Sequence, residues 1–269
     1  PMYLSDDPPT LGAIAELFPM LGIGGYYSGP RFCKARQSTA VIIPYRDREV
    51  HLRHWLHYTL GTLVKQQLEF TVFVVEQEGI DVFNKGQLMN TAFLWAQRQT
   101  RVKFQCFIFH DVDMIPEIVG NFYTCADGKA VKHLSPYIDK FNYTTNKKIG
   151  VTVGGAVAFT EWQYRAVNGY SNVYWGWGGE DDDMNLRIKL TGLRRIRPDS
   201  NYGRYKMIPH EHDGGNPMNK QRHKLLKEAK MRMARDGLGD LATQIVAVSL
   251  HPTHTHILVR LNVPHLPWL

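Results

Sequence analysis

Two hundred and sixty-nine residues, 43% hydrophobic, 12% aromatic and 21% charged, are enough to bury a sizeable core; that balance excludes a disordered polymer, a collagen-like repeat and a small disulfide scaffold. No stretch approaches the roughly 18 consecutive apolar residues of a membrane helix, and no basic-then-apolar signal layout opens the chain. The net charge of +7 gathers between Arg187 and Arg235, where fourteen Lys or Arg stand against four Asp or Glu, a segment that attracts phosphates or is simply a solvated helix face.

The first third alternates strand and helix. Thr39 to Pro44 is a β-branched run ending in a breaker, and Val50, Trp55, Leu56, Leu60 and Leu63 then recur near helical spacing. A strand at Phe70–Val75, a helix over Gly86–Gln97 and a third apolar run at Phe104–Phe109 complete the pattern. Strand, helix, strand, helix, strand predicts right-handed crossovers and a parallel sheet, whose ligands sit beyond the carboxyl ends of the strands. Tyr45 to Arg48, Glu76-Gln77 and His110 to Asp113 occupy those ends. The second half predicts short helices at Glu161–Ala166 and Asp181–Leu190, a basic helix over Asn219–Arg235, and closing strands at Thr243–Val248 and Ile257–Val263. No repeat or clear linker interrupts the chain, so one continuous domain is expected.

Asp111-Val112-Asp113 follows an apolar strand, where residues i and i+2 project to the same side. Two adjacent carboxylates repel unless a cation lies near them, and oxygen ligands suit Mg²⁺ or Mn²⁺; the plain alternative is a polar turn. Glu180-Asp181-Asp182-Asp183 follows Trp175-Gly176-Trp177-Gly178-Gly179. Acids in a first helical turn complement the macrodipole, yet four in a row also raise one another's pKa, and one could then accept a proton from a substrate hydroxyl. Tryptophan faces stack on sugar rings, although a tryptophan is more often core. Met207-Ile208-Pro209-His210 opens an irregular segment whose Gly-Gly and Asn-Pro pairs suit a moving lid. Cys33, Cys106 and Cys125 allow at most one internal disulfide, and Asn142-Tyr143-Thr144 is an acceptor sequon.

Taken together, six segments resemble the β1,4-galactosyltransferase family of inverting, metal-dependent glycosyltransferases: Val41 to Arg48, Phe83 to Asn90, Phe109 to Pro116, Gly154 to Ala156, Tyr174 to Asp183, and Met207 to His210. The resemblance runs from about Gly24 nearly to the C-terminus. It implies an α/β architecture of the GT-A type, a mostly parallel central sheet flanked by helices. An N-terminal extension (1–38) would precede a catalytic domain (39–269), itself a nucleotide-binding half (39–115) and an acceptor-binding half (116–269) with a mobile loop over 208–228.

The resemblance also implies roles. Asp113, Met207 and His210 correspond to the Mn²⁺ ligands. Pro44, Arg46, Arg48 and Phe83 correspond to the uridine and ribose pocket, and Asp111, Val112, Lys85, Lys140 and Thr152 to other parts of the UDP-sugar site. Asp181 corresponds to the catalytic base, beside Glu180 and Trp177, which hold the sugars. Trp177, Gly179, Asp181, Asp182, Arg222 and Leu226 correspond to the acceptor site. Lys85 replaces a frequent Arg, His223 replaces an aromatic apolar residue, and Thr152 stands where galactose-transferring members typically carry Tyr. The smaller side chain leaves room for an N-acetyl group, so the expected reaction is transfer of GalNAc, with galactose as the alternative, from the UDP sugar to the 4-hydroxyl of a terminal β-GlcNAc. Cys106 and Cys125 match a disulfide pair of vertebrate members. With the sequon, that pairing implies a lumenal Golgi enzyme whose N-terminal membrane anchor is missing from this chain, which begins at Pro1. A nucleic-acid-binding protein, a glycosidase and a catalytically silent sugar-binding module are the competing classes; no nucleic-acid partner is expected.

Overall fold

The computed structural model describes residues 4–145, 152–209 and 216–264. Helix α1 (Leu11–Leu17) and the short strand β1 (Tyr26–Tyr27) lead into β2 (Ser38–Tyr45), α2 (Glu49–Lys65), β3 (Glu69–Gln77), α3 (Lys85–Gln97) and β4 (Cys106–His110). The predicted alternation is therefore present. β4 starts two residues later than the apolar run because Phe104 and Gln105 precede the pairing with β2, which begins at Cys106.

The chain continues through β5 (Met114–Pro116), β6 (Ala130–His133), β7 (Tyr137–Ile138) and β8 (Ala156–Thr160). After them come α4 (Glu161–Ala166), α5 (Glu180–Leu190), β9 (Arg194–Ile196) and β10 (Arg204–Met207). Helix α6 (Arg222–Arg232) and the hairpin β11 (Thr243–Leu250) and β12 (Thr255–Leu261) complete it. α6 is shorter at both ends than the basic segment suggested.

The main sheet runs β11-β12-β3-β2-β4-β8-β6-β9. Its centre, β12-β3-β2-β4, is parallel, as the crossovers require. Beyond β4 the expectation of a mostly parallel sheet is corrected: β8 pairs antiparallel with both β4 and β6. The chain returns there without a crossover helix, which is what a parallel neighbour needs. A second sheet, β5-β10-β7, stands beside the carboxyl end of β4.

Central strands buried on both faces explain the unbroken apolar runs. Ala40, Ile42, Phe73 and Val75 face one core layer with Leu88, Met89 and Phe93 of α3. Val41, Ile43, Val72 and Val74 face the other, with Trp55, Leu56, Leu60 and Leu63 of α2. Cys106 at the start of β4 is disulfide-bonded to Cys125, 19 residues on, with Cα atoms 5.4 Å apart, and Cys33 is free and exposed. Closing a loop of that length restricts the unfolded chain. Replacing both bonded cysteines by Ala is expected to lower unfolding free energy by about 3 kcal/mol in urea titrations. Among the described residues no helix is long and apolar enough to cross a membrane.

Candidate active site

The site forms where β4 ends. Asp111 takes its position from two backbone contacts to the Gly154-Gly155 turn: its N–H donates to the Gly155 carbonyl (2.7 Å), and Oδ2 accepts from the Gly155 N–H (3.2 Å). A buried polar chain lies beneath. Trp55 Nε1–H donates to His110 Nδ1 (3.0 Å), and His110 Nε2 meets the Tyr123 hydroxyl, which meets that of Tyr205 (2.8 Å each). Burial holds the His110 imidazole down at about 4, so it stays neutral in this chain.

The acidic cluster opens α5. Gly179 caps the helix at φ 105°, where a Cβ would lie 2.5 Å from the Tyr174 ring; glycine alone tolerates both demands. Gly154 is equally constrained, since a Cβ there would stand 2.7 Å from Asp181 Oδ2. The glycine pair between Thr152 and Ala156 thus lets the backbone approach Asp111 and Asp181 together.

Lys85 links the two acidic motifs. Its ammonium lies 2.8 Å from Asp111 Oδ1, 3.0 Å from Asp181 Oδ2 and 3.7 Å from Glu180 Oε1. Burial pushes Asp111 and Asp181 up to about 6, against the lowering effect of Lys85. Burial raises Glu180 too, again opposed by Lys85. Its Oε2 is buried without a hydrogen-bond partner. An orphaned carboxylate oxygen is costly unless a ligand donor meets it. Lys85, expected among the donor contacts, joins three carboxylates from its seat at the first turn of α3. Asn84 caps that helix by accepting from Gln87 N–H (3.0 Å), and Gly86 packs so closely on Ser171 that a Cβ would sit 2.4 Å from its carbonyl oxygen.

The donor-side residues lie around the ends of β2 and β3. Pro44 is buried within β2, and Arg48 precedes α2 as its N-terminal cap residue. The Arg46 guanidinium lies 5.4 Å from the Phe83 ring centroid and donates to the carbonyls of Gly79 and Asp81, so cation and ring form one platform. Val112 is half-buried in the turn before β5 and packs on the core. Thr152 is half-buried, its carbonyl accepting from Arg195 (3.3 Å) and Arg197 (3.1 Å). Its side chain hydrogen-bonds Asp182, whose carboxyl is raised by burial and lowered by Thr152 and by His223. Arg197 also donates to His133 Nδ1 (3.0 Å), and His133 Nε2 lies 2.9 Å from the Gly154 carbonyl. This bracing of the glycine turn was not legible in the sequence, because β6 and β9 are three or four residues long and their polar side chains read as surface.

For a cation, the pairing of β5 with β10 is decisive. Met207 lies in register with Met114, and Ile208 N–H donates to the Asp113 carbonyl (2.8 Å), so Asp113, in the turn that leads into β5, lies beside the end of β10 that carries Met207. Met207 N–H donates to Asp139 Oδ1 (2.8 Å), which brings the 3₁₀ turn Asp139–Phe141, with exposed Lys140, beside the same place. His210 falls outside the described residues. Of the remaining donors the Asp113 carboxylate suits a hard ion such as Mn²⁺, while the Met207 thioether is soft for that ion, so oxygen ligands from elsewhere would have to supply most of the shell. Among the described residues no group of three His, Cys, Asp or Glu could hold a metal.

On the acceptor side, Trp177 is 47% exposed, and its backbone is held by Pro217 and Asn219 (N–H to the Pro217 carbonyl 2.8 Å; carbonyl from Asn219 N–H 3.0 Å). Arg222 begins α6 beside Gly178, where a Cβ would come within 3.2 Å of its side chain, and Leu226 is half-buried one turn later.

Behind the acidic turn lies a buried ionic network that sequence reasoning missed. Arg187 donates to Asp183 and Asp236 (to Asp236 Oδ2 at 3.0 Å), while Arg232 of α6 reaches the same two carboxylates (3.2 and 3.3 Å). Tyr174 donates to Asp183 (3.0 Å). The i,i+4 spacing of Asp183 and Arg187 was a visible signal, but the acid had been read with its three neighbours.

Residues 2–126 match the family described as the N-terminal region of glycosyl transferase group 7, and residues 132–211 that described as the N-terminal domain of galactosyltransferase. Human β-1,4-galactosyltransferase 2 is 40% identical over 257 residues, which span 96% of this chain and 68% of that protein. Human β-1,4-galactosyltransferase 1 is 36% identical over 265 residues, 98% of this chain and 65% of that protein. The chain belongs to the β1,4-galactosyltransferase family.

Membership makes it a hexosyltransferase. The architecture agrees: the catalytic domain of Drosophila β1,4-galactosyltransferase 7, in complex with xylobiose, superposes with a TM-score of 0.70 at 25% identity, covering 85% of this chain and 95% of that one. A mutant of the same fly enzyme in complex with manganese, UDP-Gal and xylobiose gives 0.69 at 24% identity, with the same coverage, and bears on the fold alone. The GT-A expectation is thereby met for this galactosyltransferase-family chain.

Proposed function

We propose that the protein transfers galactose from UDP-galactose to the 4-hydroxyl of a terminal β-GlcNAc with inversion. The observation that carries this reading is the largely buried ammonium of Lys85 tying Asp111, at the sheet's ligand end, to Asp181, at the mouth of the acceptor side. One place serves both substrates. In the reaction, Asp181 accepts the proton of the 4-hydroxyl as that oxygen attacks the anomeric carbon, the bond to UDP breaks, and its electron pair leaves with the diphosphate. Trp177 stacks on sugar, and the unpartnered oxygen of Glu180 accepts from a sugar hydroxyl. Pro44, Arg46, Arg48 and Phe83 hold the uridine and ribose, with Asp111, Val112 and Lys140 nearer the phosphates; Asp182, Gly179, Arg222 and Leu226 complete the acceptor side.

Asp113, Met207 and His210 are the residues that would hold Mn²⁺, which when bound offsets charge on the departing diphosphate. Asp113→Ala is expected to remove Mn²⁺-dependent turnover while leaving the thermal midpoint within a few degrees. Undiminished Mn²⁺ stimulation in that variant would refute the assignment.

Thr152 favours a second reading, transfer of GalNAc, because a threonine there leaves space that a tyrosine ring would fill. The relatives' names favour galactose. Assaying both donors against chitobiose, with and without Mn²⁺, decides between them. Thr152→Tyr is expected to shift the ratio of kcat/KM for the two donors roughly 10-fold or more toward UDP-galactose, the size of a ~1–3 kcal/mol pocket change. An unchanged ratio removes Thr152 from the specificity.

The division into a nucleotide-binding half (39–115) and an acceptor-binding half (116–269), with 208–228 closing over bound donor, belongs to the same proposal. So does a Golgi lumenal location, which the Cys106–Cys125 disulfide and the exposed sequon residue Asn142 support.

A further inference from the structure

Helix α6 leaves the acceptor side and carries unneutralised positive charge along its outer face. Lys224, Lys227 and Lys230 are exposed, as is Arg235 just beyond the helix, and among the described residues none of the four makes an ion pair. The helix's one acid, Glu228, is half-buried and forms no pair with Lys224 four residues before it. Like charges on adjacent turns destabilise a helix, and of these lysines only Lys230 lies in the last turn, where a cation complements the macrodipole, so most of this arrangement does nothing for the fold. The inward face is different: Ala229 is buried, Arg222 packs on Gly178, and Arg232 enters the ionic network behind Asp181. Near its far end, Lys230 and Arg165 rim a groove of about 530 Å³ whose wall includes Ala166, Leu190 and Met233.

We propose that this face docks an acidic oligosaccharide acceptor, one whose sugars behind the terminal residue carry carboxylate or sulfate groups. The inference rests on the acceptor side proposed above. Arg222 and Lys230 are eight residues apart, about 12 Å along a helix, so a chain whose terminal sugar lies at Trp177 and Asp182 runs past Lys224 and Lys227 toward the groove. Its anions meet the lysines, and the apolar faces of its rings meet Leu190 and Met233. Exposed charges attract such a chain in a manner that salt screens.

The test compares two labelled tetrasaccharides with non-reducing β-GlcNAc: neutral chitotetraose, and one alternating GlcNAc with glucuronic acid. Wild-type protein is expected to show a KM for the acidic chain about 5- to 10-fold lower at low salt, the difference vanishing at about 0.5 M NaCl. Lys230→Glu/Arg235→Glu, both beyond the closing segment, should raise the acidic chain's KM about 5-fold or more and leave kcat and the neutral chain unchanged. Equal wild-type KM values, or a variant equally impaired on both chains, would overturn the docking. Turnover of chitotetraose reports on the transferase reading alone. If it is absent, fluorescence anisotropy of the acidic chain without donor still decides, because salt-sensitive binding lost in the variant supports the proposal and no binding defeats it. Equal binding of an acidic peptide, or of anionic lipid vesicles, would show a general anion surface and defeat it as well.

Discussion

Asp181→Asn is expected to lower kcat by a factor of about 10² to 10⁴, the range that a positioned general base contributes, with little change in KM for the donor. The amide preserves shape and leaves Lys85 paired with Asp111 and within reach of Glu180, so the fold should survive. The pH profile supplies the sharper check. Burial raises Asp181 to about 6, and Asp111 beside it also to about 6, so the pair titrates together. Below that pH the carboxyl is protonated and cannot accept the acceptor's proton. Wild-type kcat should therefore fall as pH drops through about 6, and the Asn variant should lose that limb. A variant keeping more than about a tenth of wild-type kcat would remove Asp181 from the chemistry.

The second large effect concerns stability. Arg187→Met should destabilise the protein by about 3–5 kcal/mol, the cost of leaving buried carboxylates without their cation. Arg187 and Asp183 are fully buried and Asp236 nearly so. The Met side chain keeps volume but supplies no donor to Asp183, to the Asp236 carboxylate or to the Asp236 carbonyl, which Arg187 now reaches at 2.7 Å. Arg232 reaches both carboxylates but is partly exposed, so Arg232→Met should cost less. Urea unfolding of the two variants measures this, and a loss under about 1 kcal/mol for Arg187→Met would mean that water or rearrangement compensates the charges. Because the network anchors both the acidic first turn of α5 and the end of α6, residual activity in these variants should fall more steeply than the folded fraction.

Much of this was legible locally. The apolar runs of β2 and β3 announced a doubly covered parallel sheet, and polar groups at the ends of β2 and β4 marked the ligand edge. Helix α5 was readable from the acids at its start. The strands β5 to β10 were not, because two to five residues carry too little periodicity to separate from loop. The acid at position 183 misled for another reason: four consecutive acids look alike on paper, whereas helical geometry turns Asp183 inward to Arg187 while Glu180 and Asp181 face Lys85.

What the sequence by itself determined is the inventory: the family, the strand and helix order from β2 to β4, the paired aspartates after β4, the acidic turn after a glycine run, and the pair of cysteines. Each is a property of neighbours along the chain, where side-chain order and backbone preference act directly. Only the tertiary structure decided that Lys85 reaches Asp181 across 96 residues and so holds it to Asp111, that Gly154 is glycine because Asp181 lies where its side chain would go, and that Arg187 spends its charge inside the core. Partners of a buried charge are set by which segments the folded chain brings together, because desolvation makes any unpaired arrangement costly, and that meeting is written in no short stretch of residues.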